Sequence, residues 1–355
     1  MALHWRRGLL MSTAIWLAAV DPARPLAAAS GQLAGVRIVA LLGGGRVVVL
    51  NAEDGSQLAD RMIAAAPWTA GLSLGMAPTK DTIFAALIDS SRKETAAVAI
   101  SLKDFTATRV AEIADSIVYR WLVVGPRTGR LFFASEEGVR VVMFDPRTKS
   151  LVRYSPSRDP GLFRWVWWLA MSPKEDRLYF SYHGDATGVD WLDVKGSTFV
   201  ACNESISRSP IDGCASAHGR VVSYGTGMAV AAGPHVLLLN THGGEIHAFD
   251  TRLDPYNHFM EFAVDTANRA AYAIGPCAYA GGLTRIPLTL SSPVDESGTL
   301  LNPSVCGERI VLSDDGRFLA VASGDKLTLV ESRTGAVLRT IVLSAPVVDV
   351  LFAGS

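Results

Sequence analysis

The chain has 355 residues, 49% hydrophobic and 19% charged, with 33 Lys+Arg against 34 Asp+Glu and a formal net charge of -1. This apolar share excludes a disordered chain, because there is enough surface to bury against the entropy of ordering. The charge balance excludes a broad basic footprint and an acidic tail, so no nucleic-acid partner is expected.

Residues 1–29 read as an export signal. Arg6 and Arg7 make a short basic start, Gly8 to Val20 is an apolar run, Asp21-Pro22 breaks it, and Ala27-Ala28-Ala29 supplies small residues for cleavage. The run is shorter than the roughly 20 apolar residues a spanning helix needs, so no stable membrane anchor is expected. Arg6-Arg7-Gly8-Leu9-Leu10 also resembles the core of a twin-arginine signal. The mature protein is expected to be exported, to the periplasm or the extracellular space.

From Val36 onward one pattern recurs: an alternating apolar run, a polar residue, then a turn. It stands at Val47-Val48-Val49-Leu50-Asn51, Ala97 to Ser101, Val141 to Asp145, Val189 to Asp193, Ile246 to Asp250, Arg285 to Thr289 and Leu327 to Glu331. The terminal residues step by 50, 44, 48, 57, 39 and 42, a mean near 47. Each unit reads as four short strands, most clearly in the last. There Glu308 to Ser313, Phe318 to Ser323, Leu327 to Glu331 and Val337 to Val342 are separated by turns rich in Gly and Asp. An acid closing the third strand fixes the next turn by accepting backbone amides. Four short strands per unit at this period predict an all-β, seven-bladed β-propeller spanning residues 30–355 as one domain.

The first unit shows only three strands, Val36 to Leu41, Arg46 to Asn51 and Gln57 to Ile63, while Pro346 to Phe352 is left over at the end. The leftover run is expected to be the innermost strand of the first blade and to close the ring, removing an open edge. The 57 and 39 spacings imply an insertion in one blade and a trimmed neighbour. In an exported chain Cys202–Cys214 and Cys277–Cys306 are expected as two sequence-local disulfides, each stabilising by about 3 kcal/mol.

Leu169 to Phe180 and Ile310 to Val321 resemble the repeats of exported bacterial YVTN-type and quinoprotein amine dehydrogenase-like propellers. The resemblance covers the mature chain as repeat grammar and implies the fold. The superfamily it implies spans lactonases, amine dehydrogenase subunits, cytochrome-associated propellers and binding modules. The Gly-His and Trp-Asp marks of WD repeats and a Cys-x-x-Cys-His haem motif are absent from the sequence, and no catalytic motif carries over residue by residue.

Function must be sought in loops at one mouth of the channel. Arg120, Glu136, Arg164, His183, Asp185 and His242 are candidates, because equivalent loops about 47 residues apart meet around one axis. Arginines beside a carboxylate and histidines favour an anionic ligand. None of these residues lies in a metal-binding motif, so no metal is assigned and the cofactor is unknown. In Arg164-Trp165-Val166-Trp167-Trp168, strict alternation places Trp165 with Trp167 and Val166 with Trp168. Packing between blades is the expected role of this segment, against a stacking platform for a ring-shaped ligand. The resulting expectation is a monomeric, exported module that binds a small-molecule ligand or a partner protein at its polar loop face. The alternative is a lactonase-like hydrolase or a quinone-linked oxidoreductase subunit.

Overall fold

The computed structural model describes residues 33–135, 140–154, 164–184, 188–200, 220–224, 227–232, 235–239, 245–250, 261–277, 282–288 and 298–354. Among these, regular structure is all strand. Among the described residues no helix is long and apolar enough to cross a membrane.

The strands in chain order are β1 (Arg37–Leu42), β2 (Arg46–Asn51), β3 (Gln57–Met62), β4 (Thr69–Met76), β5 (Thr82–Asp89), β6 (Glu94–Ser101) and β7 (Ala107–Ala114). Next come β8 (Tyr119–Val124), β9 (Leu131–Ser135), β10 (Val141–Asp145), β11 (Ser150–Tyr154), β12 (Arg164–Met171), β13 (Arg177–Gly184), β14 (Gly188–Asp193) and β15 (Thr198–Val200). The chain continues with β16 (Val221–Tyr224), β17 (Gly227–Ala232), β18 (His235–Leu239), β19 (Glu245–Asp250), β20 (Glu261–Asp265), β21 (Ala270–Ile274), β22 (Leu283–Pro287) and β23 (Thr299–Asn302). It ends with β24 (Arg309–Leu312), β25 (Phe318–Ser323), β26 (Lys326–Glu331), β27 (Val337–Val342) and β28 (Val347–Ala353).

These strands form seven four-stranded sheets, and the architecture is a β-propeller. Six of the sheets are self-contained blades of four consecutive strands: β4–β7, β8–β11, β12–β15, β16–β19, β20–β23 and β24–β27. The remaining sheet, β28-β1-β2-β3, is a composite of the two ends of the chain. Its closing ladder is antiparallel and runs from Arg37 opposite Ala353 to Leu42 opposite Val347. The innermost strands pack against one another in the cyclic order β28, β4, β8, β12, β16, β20, β24 and back to β28.

The expectation of seven units, each flagged by a third-strand mark, is corrected in the blade β16–β19. Ile246 to Asp250 lies on β19, the fourth strand, and the third strand is β18. With the third-strand ends at Asp193, Leu239 and Pro287, the steps become 46 and 48 residues, so no insertion and no trimmed neighbour is needed. The misreading has a physical origin. His235–Leu239 carries no terminal acid, whereas the outer strand ends in Asp250 and buries Phe249, imitating a third strand.

Both faces of a blade are covered by its neighbours, which is why strands such as Arg37–Leu42 and Thr82–Asp89 read as continuous apolar runs rather than clean alternations. The core accordingly lies between blades. Val39, Leu41, Val47 and Val49 pack on Ile83, Ala85, Leu87 and Val98 of the next blade. Ile38, Ala40, Val48 and Leu50 face Phe318, Ala320, Leu327 and Leu329 on the other side. The polar third-strand ends act as turn braces. The side-chain oxygen of Asn51 accepts the Glu53 amide at 2.9 Å, Asp145 accepts that of Arg147 at 2.9 Å, and Asp193 accepts that of Lys195 at 3.0 Å.

Candidate functional site

Each antiparallel blade begins its innermost strand at the end of the ring where its second strand stops. At that end, five residues on or just ahead of the innermost strands come together: Trp168 of β12, Arg220 just ahead of β16, Glu261 opening β20, Arg309 opening β24, and Asp349 of β28. Glu261 is 4% exposed. Its Oε2 meets Nη1 of Arg220 at 3.3 Å and its Oε1 meets Nη1 of Arg309 at 3.2 Å. The Arg220 Nη1 also donates to the Ile310 carbonyl, and the Arg309 Nε donates to the Val348 carbonyl at 3.0 Å. Both guanidiniums stand over the Trp168 ring, at 5.3 Å for Arg220 and 4.7 Å for Arg309. Each arginine side chain keeps 20% of its surface exposed, so the cations remain reachable from solvent while their carboxylate does not.

Bulges re-aim the inner strands around this cluster. In β8 the register jumps from Tyr119 to Trp121, leaving Arg120 as the extra residue; in β12 it jumps from Val166 to Trp168, leaving Trp167. The bulge leaves Val166 and Trp168 opposite consecutive residues, Tyr182 and Ser181. Both still pack against one inter-blade cluster, as expected: Val166 is buried in it, and Trp168 lies against it while its ring also faces the arginines. Trp121 supports it: the two indoles lie 5.0 Å apart, and the Trp121 Nε1–H donates to the Val166 carbonyl at 2.7 Å. The strand β4 approaches β8 closely because it is glycine-bearing there. A Cβ on Gly71 would lie 2.7 Å from the Arg120 carbonyl oxygen, and one on Gly75 2.4 Å from Val124 Cγ2.

Burial raises the Glu261 carboxyl from 4.5 to about 7; the two arginines oppose the rise and Asp349 adds to it. Burial raises Asp349 as well, against Arg309 and the Leu74 amide. Asp349 Oδ2 accepts that amide at 2.7 Å, tying the closing strand β28 to β4. The opposite end of the ring is stitched turn to turn. The Glu175 carboxylate accepts the amides of Arg127 at 3.0 Å and Thr128 at 2.9 Å, together with the Thr128 hydroxyl, and Lys80 pairs with Asp314.

The residues nominated from sequence are placed as follows. Arg120 lies in the β8 bulge, Arg164 opens β12, and His183 stands next to last in β13, opposite Trp165; their backbones share the end of the ring where the cluster lies. Glu136, Asp185 and His242 fall outside the described residues, as do Cys202 and Cys214. Cys277 and Cys306 are disulfide-bonded, with Cα atoms 4.9 Å apart, and the bridge stands three residues ahead of Arg309. Among the described residues, no group of three or more His, Cys, Asp or Glu could hold a metal ion.

Sequence reasoning missed Arg220, Glu261, Arg309 and Asp349. The available signal was a charged residue at the start of an otherwise apolar strand, recurring at blade spacing. Arg220 and Glu261 are 41 residues apart, and Glu261 and Arg309 are 48 apart.

No family model and no curated protein matches the chain. Solved structures do. Apo AztD from Citrobacter koseri is 16% identical with a TM-score of 0.61, over 90% of this chain and 99% of that one. A protein of Bacteroides fragilis proposed to be a 6-phosphogluconolactonase is 12% identical with a TM-score of 0.64, over 90% and 98%. Hydrazine synthase of Kuenenia stuttgartiensis is 13% identical with a TM-score of 0.59, over 85% and 90%. At these identities the likeness is one of fold, and it groups the chain with β-propellers that differ widely in what they do.

Proposed function

We propose that the protein is an exported binding propeller that takes a small anionic ligand at the channel end where its innermost strands begin. The observation that carries this reading is the pair Arg220 and Arg309, each partly exposed and each held over Trp168. Guanidinium forks match carboxylate, sulfonate and phosphate oxygens in geometry as well as charge, and an indole beside them offers an apolar wall for a ligand's carbon frame. Arg120 and Arg164, at the same end of the ring, belong to this reading as further sources of positive charge. Export rests on the first 29 residues and is supported by the Cys277–Cys306 disulfide, a bond that persists in oxidising compartments.

The test is a thermal-shift screen of small organic acids, sulfonates and phosphates alongside neutral analogues, repeated on Arg220→Ala and Arg309→Ala proteins with native circular dichroism. At least one anion should stabilise the wild type, its neutral analogue should not, and both variants should lose the effect. Equal response in the variants, or no anion that acts, would refute the assignment.

A further inference from the structure

The cluster already contains its own anion. Glu261 presents one carboxylate oxygen to Arg220 and the other to Arg309, so a ligand drawn to these cations meets a competitor. That competitor cannot swing aside. It is 4% exposed, and its backbone is fixed in the β20–β21 ladder opposite Ile274. The groups facing it are Arg220 ahead of β16, Arg309 on β24 and Asp349 on β28, with Trp168 covering both guanidiniums from β12. With both carboxylates ionised, an added anion would make three negative groups share two cations whose side chains are four-fifths buried. Protonation is the one way for Glu261 to release positive charge without moving.

We propose that anion binding at Arg220 and Arg309 is coupled to the uptake of one proton by Glu261, so that the site loads on the acidic side of neutrality and empties as pH rises. The proposal rests on the anion-binding reading of this site. The position of the Glu261 carboxyl near neutrality agrees with it, because a modest change in pH then moves the proton. Linkage makes the coupling reciprocal: if the proton favours the anion, the anion favours the proton equally. If only the protonated form binds, affinity should fall by about tenfold between pH 6 and pH 8.

Sulfate and benzenesulfonate are suitable probes, since both stay fully ionised across this range. Binding to the full-length exported protein is followed by titration calorimetry at pH 6, 7 and 8, in cationic buffers of differing ionisation enthalpy. The wild type should bind at least one probe, weaken about tenfold from pH 6 to pH 8, and take up a fraction of a proton that rises toward one as pH rises. Glu261→Gln, with native circular dichroism, should bind with little pH dependence and no proton uptake. Wild-type binding without proton uptake, or unchanged pH dependence in Glu261→Gln, would overturn the coupling and leave the anion site standing. Failure of both probes to bind at pH 6 would overturn the coupling together with the site.

Discussion

Glu261 also sets a pH dependence of stability in the unliganded protein. Burial raises its carboxyl from 4.5 to about 7 in the fold. Between those values the native state holds a proton that the unfolded chain has released. Stability therefore falls as pH rises through this window, and the penalty is complete above it. At about 1.36 kcal/mol per pH unit, the difference amounts to roughly 3 kcal/mol. Carboxylates lowered by turn hydrogen bonds, such as Asp104 and Asp145, act in the opposite sense, so the wild-type profile alone mixes the two trends. Subtracting the Glu261→Gln variant isolates the buried group. Urea unfolding of both proteins at half-unit steps from pH 4.5 to 8.5 should show the wild type losing roughly 3 kcal/mol relative to the variant as pH rises. Parallel profiles, or a wild type that gains on the variant with rising pH, would refute the assignment of a disfavoured buried carboxylate.

Three further outcomes are expected. Removing residues 346–355 strips β1 of its partner and takes away the buried Val350 and Ala353, so the truncated protein should melt lower and self-associate through the exposed edge; an unchanged melting curve and elution volume would contradict ring closure. Replacing Cys277 and Cys306 by serine opens a 29-residue loop and should cost about 3–4 kcal/mol in urea unfolding, while thiol titration of the unfolded, unreduced wild type should find no free thiol if Cys202 and Cys214 are bridged as well. Glu175→Ala leaves two turn amides without their carboxylate and should destabilise by about 1–3 kcal/mol in the same assay, with anion binding at the far end of the ring unaffected.

The strand grammar was legible because third strands end in residues that brace their turns. Asn51, Asp145 and Asp193 do this through hydrogen bonds local in sequence. The closing strand was legible as an apolar run with no unit of its own, and it sits within one residue of the expected span. The blade β16–β19 was misread because burial of Phe249 on an outer strand cannot be told from burial on a third strand by pattern alone. The bulges at Arg120 and Trp167 leave no trace in composition, since they depend on how a strand meets its neighbour. The site itself is an extreme case. Trp168, Arg220, Glu261, Arg309 and Asp349 come from five different blades and share no local motif. Only the ring brings them together, so reasoning from loop position, which nominated Arg120, Arg164 and His183, did not reach these charges.

Asp349 links that cluster to the closure of the ring, and its charge and its hydrogen bond can be separated. The closing strand contributes two acceptors: the Val348 carbonyl to Arg309, and the Asp349 carboxylate to the Leu74 amide of the next blade at 2.7 Å. Leu74 follows the irregular stretch of β4 between Ala70 and Leu74, so this contact anchors the inner strand where its ladder resumes. Burial raises the Asp349 carboxyl, so its ionised form is disfavoured in the fold even as its oxygen is used. Asparagine keeps an acceptor and gives up the charge, whereas alanine gives up both. Asp349→Ala should therefore lose about 1–3 kcal/mol through the stranded Leu74 amide. Asp349→Asn should stay within about 1 kcal/mol of the wild type, with its relative stability improving as pH rises, because only the wild type must ionise a buried acid. Urea unfolding at pH 5 and pH 8 distinguishes the two. An asparagine variant as unstable as the alanine variant at both values would mean that the negative charge opposite Arg309, rather than the bond to Leu74, is what holds the last strand in place.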